Sequence, residues 1–130
     1  EDGILYQPRS RGLGDVYKRQ GGNSVRLKWF GESTNLHSIW DTKLIQHQNL
    51  SYTEYANYLL LNEDRGKIRE WQGDSLLVYV HESRDLRVQC YEFSGDNLKW
   101  DYFYVNKEFL EHRLLQGGIR LSGELNRIFK

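Results

Sequence analysis

One change of hydrophobic period constrains the fold of this chain more than any other feature. From Ser24 to Trp29 the residues alternate, with Val25, Leu27 and Trp29 on one side and Ser24, Arg26 and Lys28 on the other. That is the pattern of a half-buried strand. From Leu36 onward, apolar residues recur mostly at helical spacing instead. The switch falls at Gly31, which ends the strand and allows a short hairpin, and at Ser33, Thr34 and Asn35, which offer N-caps to a helix. The spacing predicts a mainly α fold with a short β-hairpin.

Leu36, Ile39, Trp40 and Leu44 form the apolar stripe of the first helix. Ser51-Tyr52-Thr53-Glu54 is a capping box, so a second helix starts there, with Tyr52, Tyr55, Tyr58 and Leu59 at helical spacing and Asn62 to Gly66 closing it. A short helix over 67–72 ends at Gly73, and Asp74 or Ser75 caps the next. There Leu77, Val80, Arg84, Val88 and Tyr91 keep a helical period, although the β-branched content leaves a strand as the alternative. Ser94 to Asn97 is a turn, and Trp100 to Tyr104 is extended or helical. Asn106 is the expected cap of the last helix, marked by Phe109, Leu110, Leu114, Leu121, Leu125 and Ile128. Gly117-Gly118 predicts a kink in it, or close approach of another backbone.

The 130 residues suffice for one domain with a modest core. Residues 1–20 differ from the rest, hold the only proline, Pro8, and read as a non-native or disordered leader; fold reasoning starts at residue 21. Eighteen basic and eighteen acidic side chains cancel, which argues against holding nucleic acid by counterion release alone. An enzyme whose metal ions supply the positive charge remains allowed. Cys90 is the only cysteine, so no intrachain disulfide and no cysteine zinc site can form. The longest apolar run, Leu76 to Val80, is far shorter than a membrane span, and the N-terminus has no signal-peptide pattern.

The chemistry-bearing stretch is Asn35-Leu36-His37-Ser38-Ile39-Trp40-Asp41. On a helix His37 and Asp41 stand one turn apart at the edge of the apolar stripe, and an imidazole and a carboxylate so placed can share one zinc ion. Taken alone, the same spacing also describes an ordinary solvated pair. His47, His81 and His112 read as surface or structural. Glu82 and Ser83 read as a capping or core-polar pair, and Arg120 as a partner within the fold. Tyr52, Tyr55, Trp71 and Trp100 are candidates for stacking on bases, against a core role at helical spacing.

Gly21-Gly22-Asn23, a short strand, and then Asn-Leu-His-x-x-Trp-Asp together resemble the zinc-dependent single-strand-specific nucleases of the fungal, plant and bacterial 3′-nucleotidase type. These share a helical fold with zinc-dependent phospholipase C. His81-Glu82-Ser83 matches the family's Glu-Ser pair, and Gly117-Gly118-Ile119-Arg120-Leu121 with Leu125-Asn126 resembles its C-terminal helix. The resemblance covers residues 21–129, as the C-terminal half of a family member, so residues 21–130 are expected to be an incomplete nuclease domain.

The resemblance implies a three-zinc site in a cleft. Two ions share a bridging hydroxide that attacks phosphorus, and a third stabilises the leaving 3′ oxygen, giving 5′-nucleotides from single-stranded DNA or RNA. It makes His37 and Asp41 ligands of one zinc. Asn23 reads as a residue that orients a ligand or, equally, as a turn residue. It further implies a monomer without a membrane partner, secreted or periplasmic. The family's other ligands come from an upstream run with His-x-x-x-Asp and a further histidine, but here no histidine precedes His37. At most one partial zinc site is therefore expected, in an inactive fragment with no catalytic residue of its own. The alternatives are a phospholipase C-like phosphodiesterase on the same metals, and a non-enzymatic helical interaction domain in which His37 and Asp41 are only a polar pair.

Overall fold

The computed structural model describes residues 20–61 and 65–130. The leader expected over residues 1–20 therefore lies, up to residue 19, outside the described residues. The described residues divide into two compact units: residues 20–48 with 93–103, and residues 49–61 and 65–92 with 104–130.

The first unit is built on the expected hairpin. Strands β1 (Arg26–Trp29) and β2 (Glu32–Asn35) pair antiparallel, with Arg26 opposite Asn35 and Trp29 opposite Glu32. Phe30 and Gly31 form the two-residue loop with φ of 50° and 88°, the left-handed conformations that match the twist of a tight hairpin. A phenylalanine resists that conformation. Its ring is held edge-on to Trp29 and Trp100 and stacked on His47, at centroid distances of 5.0, 5.2 and 5.2 Å. A third strand, β3 (Asn97–Leu98), joins β1 in parallel, and Asn97 Oδ1 accepts from the Gly31 amide at 2.9 Å. Two residues are too few to show a period, so the sequence suggested only a turn here.

Helix α1 covers residues 36–46. It begins as an α-helix (Leu36–Ser38), widens into a π-helix (Ile39–Lys43) and returns to α over Leu44–Gln46. Leu36, Ile39 and Leu44 of the expected stripe are buried, alongside Leu27, Trp29, Leu98, Tyr102 and Phe103.

The second unit holds α2 (Tyr52–Leu60), α3 (Arg65–Gly73), α4 (Leu76–Cys90) and most of α5 (Trp100–Ile128), whose first four residues belong to the first unit. The capping box forms: the Glu54 amide donates to Ser51 Oγ at 3.3 Å, and the Ser51 amide donates to Glu54 Oε2 at 2.9 Å. The helical reading, rather than the strand alternative, holds for α4.

Three expectations fail. Helix α5 starts at Trp100, so Asn106 is not its cap; it is buried inside the helix, where its Oδ1 accepts from Gln89 Nε2 at 3.3 Å. Gly117-Gly118 lies inside one continuous helix and admits no close neighbour, since a Cβ at either would meet nothing within 4 Å among the described residues. The close approach is instead at Gly123, where a Cβ would lie 2.9 Å from Gln72 Cγ. Gly66, expected to help close α2, lies within α3.

Candidate metal centre

Each residue of Asn35 to Asp41 has a separate physical task. Asn35 is the N-cap: its backbone is extended and its Oδ1 accepts from the Ser38 amide at 2.8 Å. Leu36 and Ile39 anchor the helix in the core. Trp40 Nε1 donates to Tyr102 Oη at 2.8 Å, tying α1 to the first turn of α5 within the same unit. His37 and Asp41 are left on the exposed side. The sequence expectation placed them at the edge of the buried stripe. They lie further out, and the π turn between them, absent from the sequence reading, alters the helical register there.

The Gly-Gly pair explains how His37 is set. Gly21 and Gly22 have φ of 61° and 92°, so both sit where side-chain-bearing residues are strained. A Cβ on Gly22 would lie 3.0 Å from the His37 backbone nitrogen and 3.3 Å from Leu36 Cβ. This tight turn brings the Gly21 carbonyl to 3.3 Å from His37 Nδ1. With the ring hydrogen on Nδ1, His37 donates to Gly21, and Nε2 is left as the lone-pair nitrogen. A histidine whose second nitrogen is engaged by a carbonyl in this way is oriented for a metal. The carboxylate of Asp41 has no protein partner among the described residues. Asn23 is exposed on the same turn.

The donor set fits zinc in kind but not in number. His37 Nε2 and the Asp41 carboxylate are suitable ligands, yet no group of three His, Cys, Asp or Glu able to hold a metal occurs among the described residues. No catalytic step through zinc can be derived from these residues alone.

The other histidines are packed or peripheral. His47 lies against Trp29, Phe30, Trp100 and Phe103, with centroids at 4.5–5.6 Å. His112 meets the edge of Trp71, and its pKa is lowered chiefly by burial. His81 is exposed. Burial pushes the Cys90 thiol up to about 11, which keeps it unreactive. Of the aromatic candidates for base stacking, Tyr55 and Trp71 are core residues, while Tyr52 and Trp100 are exposed.

The second charged cluster lies wholly in the other unit. Arg120, only 5% exposed, donates to Glu82 Oε2 and Oε1 at 2.6 and 3.0 Å and to Asp74 Oδ2 at 2.6 Å. Its guanidinium also covers the Tyr79 ring at 4.2 Å. Arg113 donates to Glu82, Ser83 and Gln116. The Arg120 guanidinium holds the Glu82 carboxyl below its ordinary range, against the opposing effect of burial. Arg120 thus pairs within the fold, as the sequence suggested, whereas Ser83 accepts from Arg113 and donates to the Tyr79 carbonyl and does not pair with Glu82.

The S1/P1 Nuclease family profile matches residues 12–130, nearly the whole chain. The chain belongs to the S1/P1 nuclease family. Among its relatives in Arabidopsis thaliana, Endonuclease 3 is 33% identical over 147 residues, covering 98% of this chain and 48% of the relative. Endonuclease 4 is 32% identical over 145 residues, covering 98% and 47%, and Endonuclease 1 is 30% identical over 145 residues, covering 98% and 46%. The chain therefore spans about half the length of these curated relatives. Its mainly helical fold with a small sheet is that of the S1/P1 nuclease family, in partial form. No helix among the described residues is long and apolar enough to cross a membrane.

Proposed function

We propose that this chain is the C-terminal part of a zinc-dependent nuclease that hydrolyses phosphodiester bonds of single-stranded DNA and RNA to 5′-nucleotides. His37 and Asp41 are two ligands of one of its three zinc ions, and Asn23 helps to hold the ligand-bearing turn. The observation that carries this is the contact of His37 Nδ1 with the Gly21 carbonyl, which leaves Nε2 and the Asp41 carboxylate open on one exposed helix surface. The endonuclease names of the relatives favour a nuclease over a phospholipase C-like enzyme. The protein acts as a monomer, secreted or periplasmic.

Within this chain, Gly21 orients the imidazole, Gly22 lets the turn close on α1, and Trp40 fixes the helix that carries Asp41. Zinc, when bound, would supply positive charge that stabilises a phosphodiester transition state. The 130 residues alone are inactive, because no histidine precedes His37 to complete the ligand set.

The test joins the upstream half of Endonuclease 3 ahead of Gly21. With zinc, this chimera should cleave single-stranded DNA, and EDTA or His37→Ala should abolish cleavage. A folded, zinc-loaded chimera that does not cleave, or cleavage that survives His37→Ala, would contradict the proposal. Robust turnover by the 130-residue chain alone would contradict its inactivity.

A further inference from the structure

Asn49 is the one asparagine of the chain followed at the second position by serine or threonine, in Asn49-Leu50-Ser51, with no proline between. That spacing is the acceptor pattern for an N-linked oligosaccharide, and it requires a surface loop. The fold provides one. Asn49 to Ser51 run without regular structure between α1 and α2, and all three are exposed. Asn49 has φ 53°, in the left-handed region that asparagine enters more readily than most residues with a side chain. Other asparagine side chains serve the fold: Asn35 caps α1, Asn97 accepts from the Gly31 amide, and Asn106 is buried against Gln89. The Asn49 side-chain amide has no partner among the described residues.

We propose that Asn49 is a site of N-linked glycosylation. This rests on the secreted reading above and not on nuclease activity. The co-reactant is an oligosaccharide carried on a polyprenyl diphosphate. Asn49 Nδ2 attacks the anomeric carbon of the first sugar. The bond from Nδ2 to that carbon forms, and the bond from that carbon to the diphosphate oxygen breaks. The polyprenyl diphosphate leaves with the electron pair, Nδ2 gives up one proton, and nothing is oxidised or reduced. Ser51 sets the order of events. The acceptor pattern needs its hydroxyl, but in the fold that hydroxyl donates to Glu54 Oε2 at 2.7 Å and accepts from the Glu54 amide at 3.3 Å. Transfer therefore precedes closure of the capping box, and α2 is capped afterwards by the same side chain. The glycan then covers a linker whose Leu50 and Tyr52, 45% and 97% exposed, are the residue types at which chymotrypsin cuts.

The test fuses the chain to a secretory signal peptide, expresses it in plant cells and reads the mass of the product in cells and medium together. One oligosaccharide-sized increase is expected, removed by peptide-N-glycosidase with conversion of Asn49 to aspartate. Asn49→Asp should abolish it while keeping a residue that tolerates the left-handed backbone. Ser51→Asp should also abolish it while keeping a helix N-cap, and Ser51→Thr should retain both glycan and cap. Chymotrypsin should cut the glycosylated linker severalfold more slowly than that of Asn49→Asp from the same cells. An unmodified parent chain overturns the proposal, and so does a glycan that survives Asn49→Asp or Ser51→Asp. Equal cleavage rates overturn the shielding of the linker. Because the fused signal supplies entry to the secretory route, failure here counts against the site. The secreted reading stands or falls separately, on where the full-length protein accumulates.

Discussion

His37 and Asp41 stand in solvent with their coordinating atoms open, whereas Glu82, Asp74 and Arg120 bind one another. Both clusters come from stretches that resemble the same family, but they have opposite physical roles. A buried guanidinium with two carboxylates is strongly coupled, and its loss leaves uncompensated charge. An exposed imidazole and a carboxylate with no partner among the described residues add little to folding. The first cluster is the candidate metal site of the proposed function; the second holds the fold together.

The largest effect that would break this contrast is at Arg120. Arg120→Ala leaves Asp74 without its ion-pair partner and Glu82 with Arg113 alone, and should destabilise the chain by about 3–5 kcal/mol in urea unfolding. A loss below 1 kcal/mol would mean that the cluster is not structural. Acid acts on the same cluster. Glu82 is held below its ordinary value of 4.5, mainly by Arg120, so the unfolded chain takes up the proton first. Stability from this group should be complete above that value and fall as pH drops through the lowered one. Arg120→Ala should flatten that part of the pH–stability profile.

A smaller effect belongs to the turn under His37. Gly22→Ala introduces a Cβ at positive φ 3.0 Å from the His37 amide nitrogen, and should cost about 1–3 kcal/mol while weakening zinc binding. Smaller still are the glycines of α5. Gly117→Ala, in open helix, should raise stability by about 0.5–1 kcal/mol, whereas Gly123→Ala should lower it, because Gln72 occupies the space. Thermal melts of the two variants must move in opposite directions. The smallest stability effects should come from His37→Ala and Asp41→Asn, each within about 0.5 kcal/mol of the parent chain.

The hairpin, the capping boundaries and the helical spacing were legible in the sequence, because period and cap chemistry are local properties. The two-residue β3 was not, since its pairing with Lys28 and Trp29 depends on contacts across some 70 residues of sequence. Asn106 was misread as a cap because its side chain serves the Gln89 amide instead, a tertiary contact that overrides local preference. Leu77, Val80 and Val88 gave the right helix, but period alone does not say whether a face is buried, and all three are exposed. At the candidate metal centre, His37 and Asp41 were singled out from spacing and family pattern. The Gly21 carbonyl was not, because a backbone acceptor leaves no mark beyond the glycine pair that permits the turn.

Zinc titration of the chain labelled at its four histidines tests the central claim most directly. His37 should carry its hydrogen on Nδ1, and its Nε2 resonance should shift first and saturably, with Asp41→Asn weakening the response and leaving the melting temperature unchanged. A His37 resonance that does not move, or that moves no earlier than those of His81 and His112, would contradict the account.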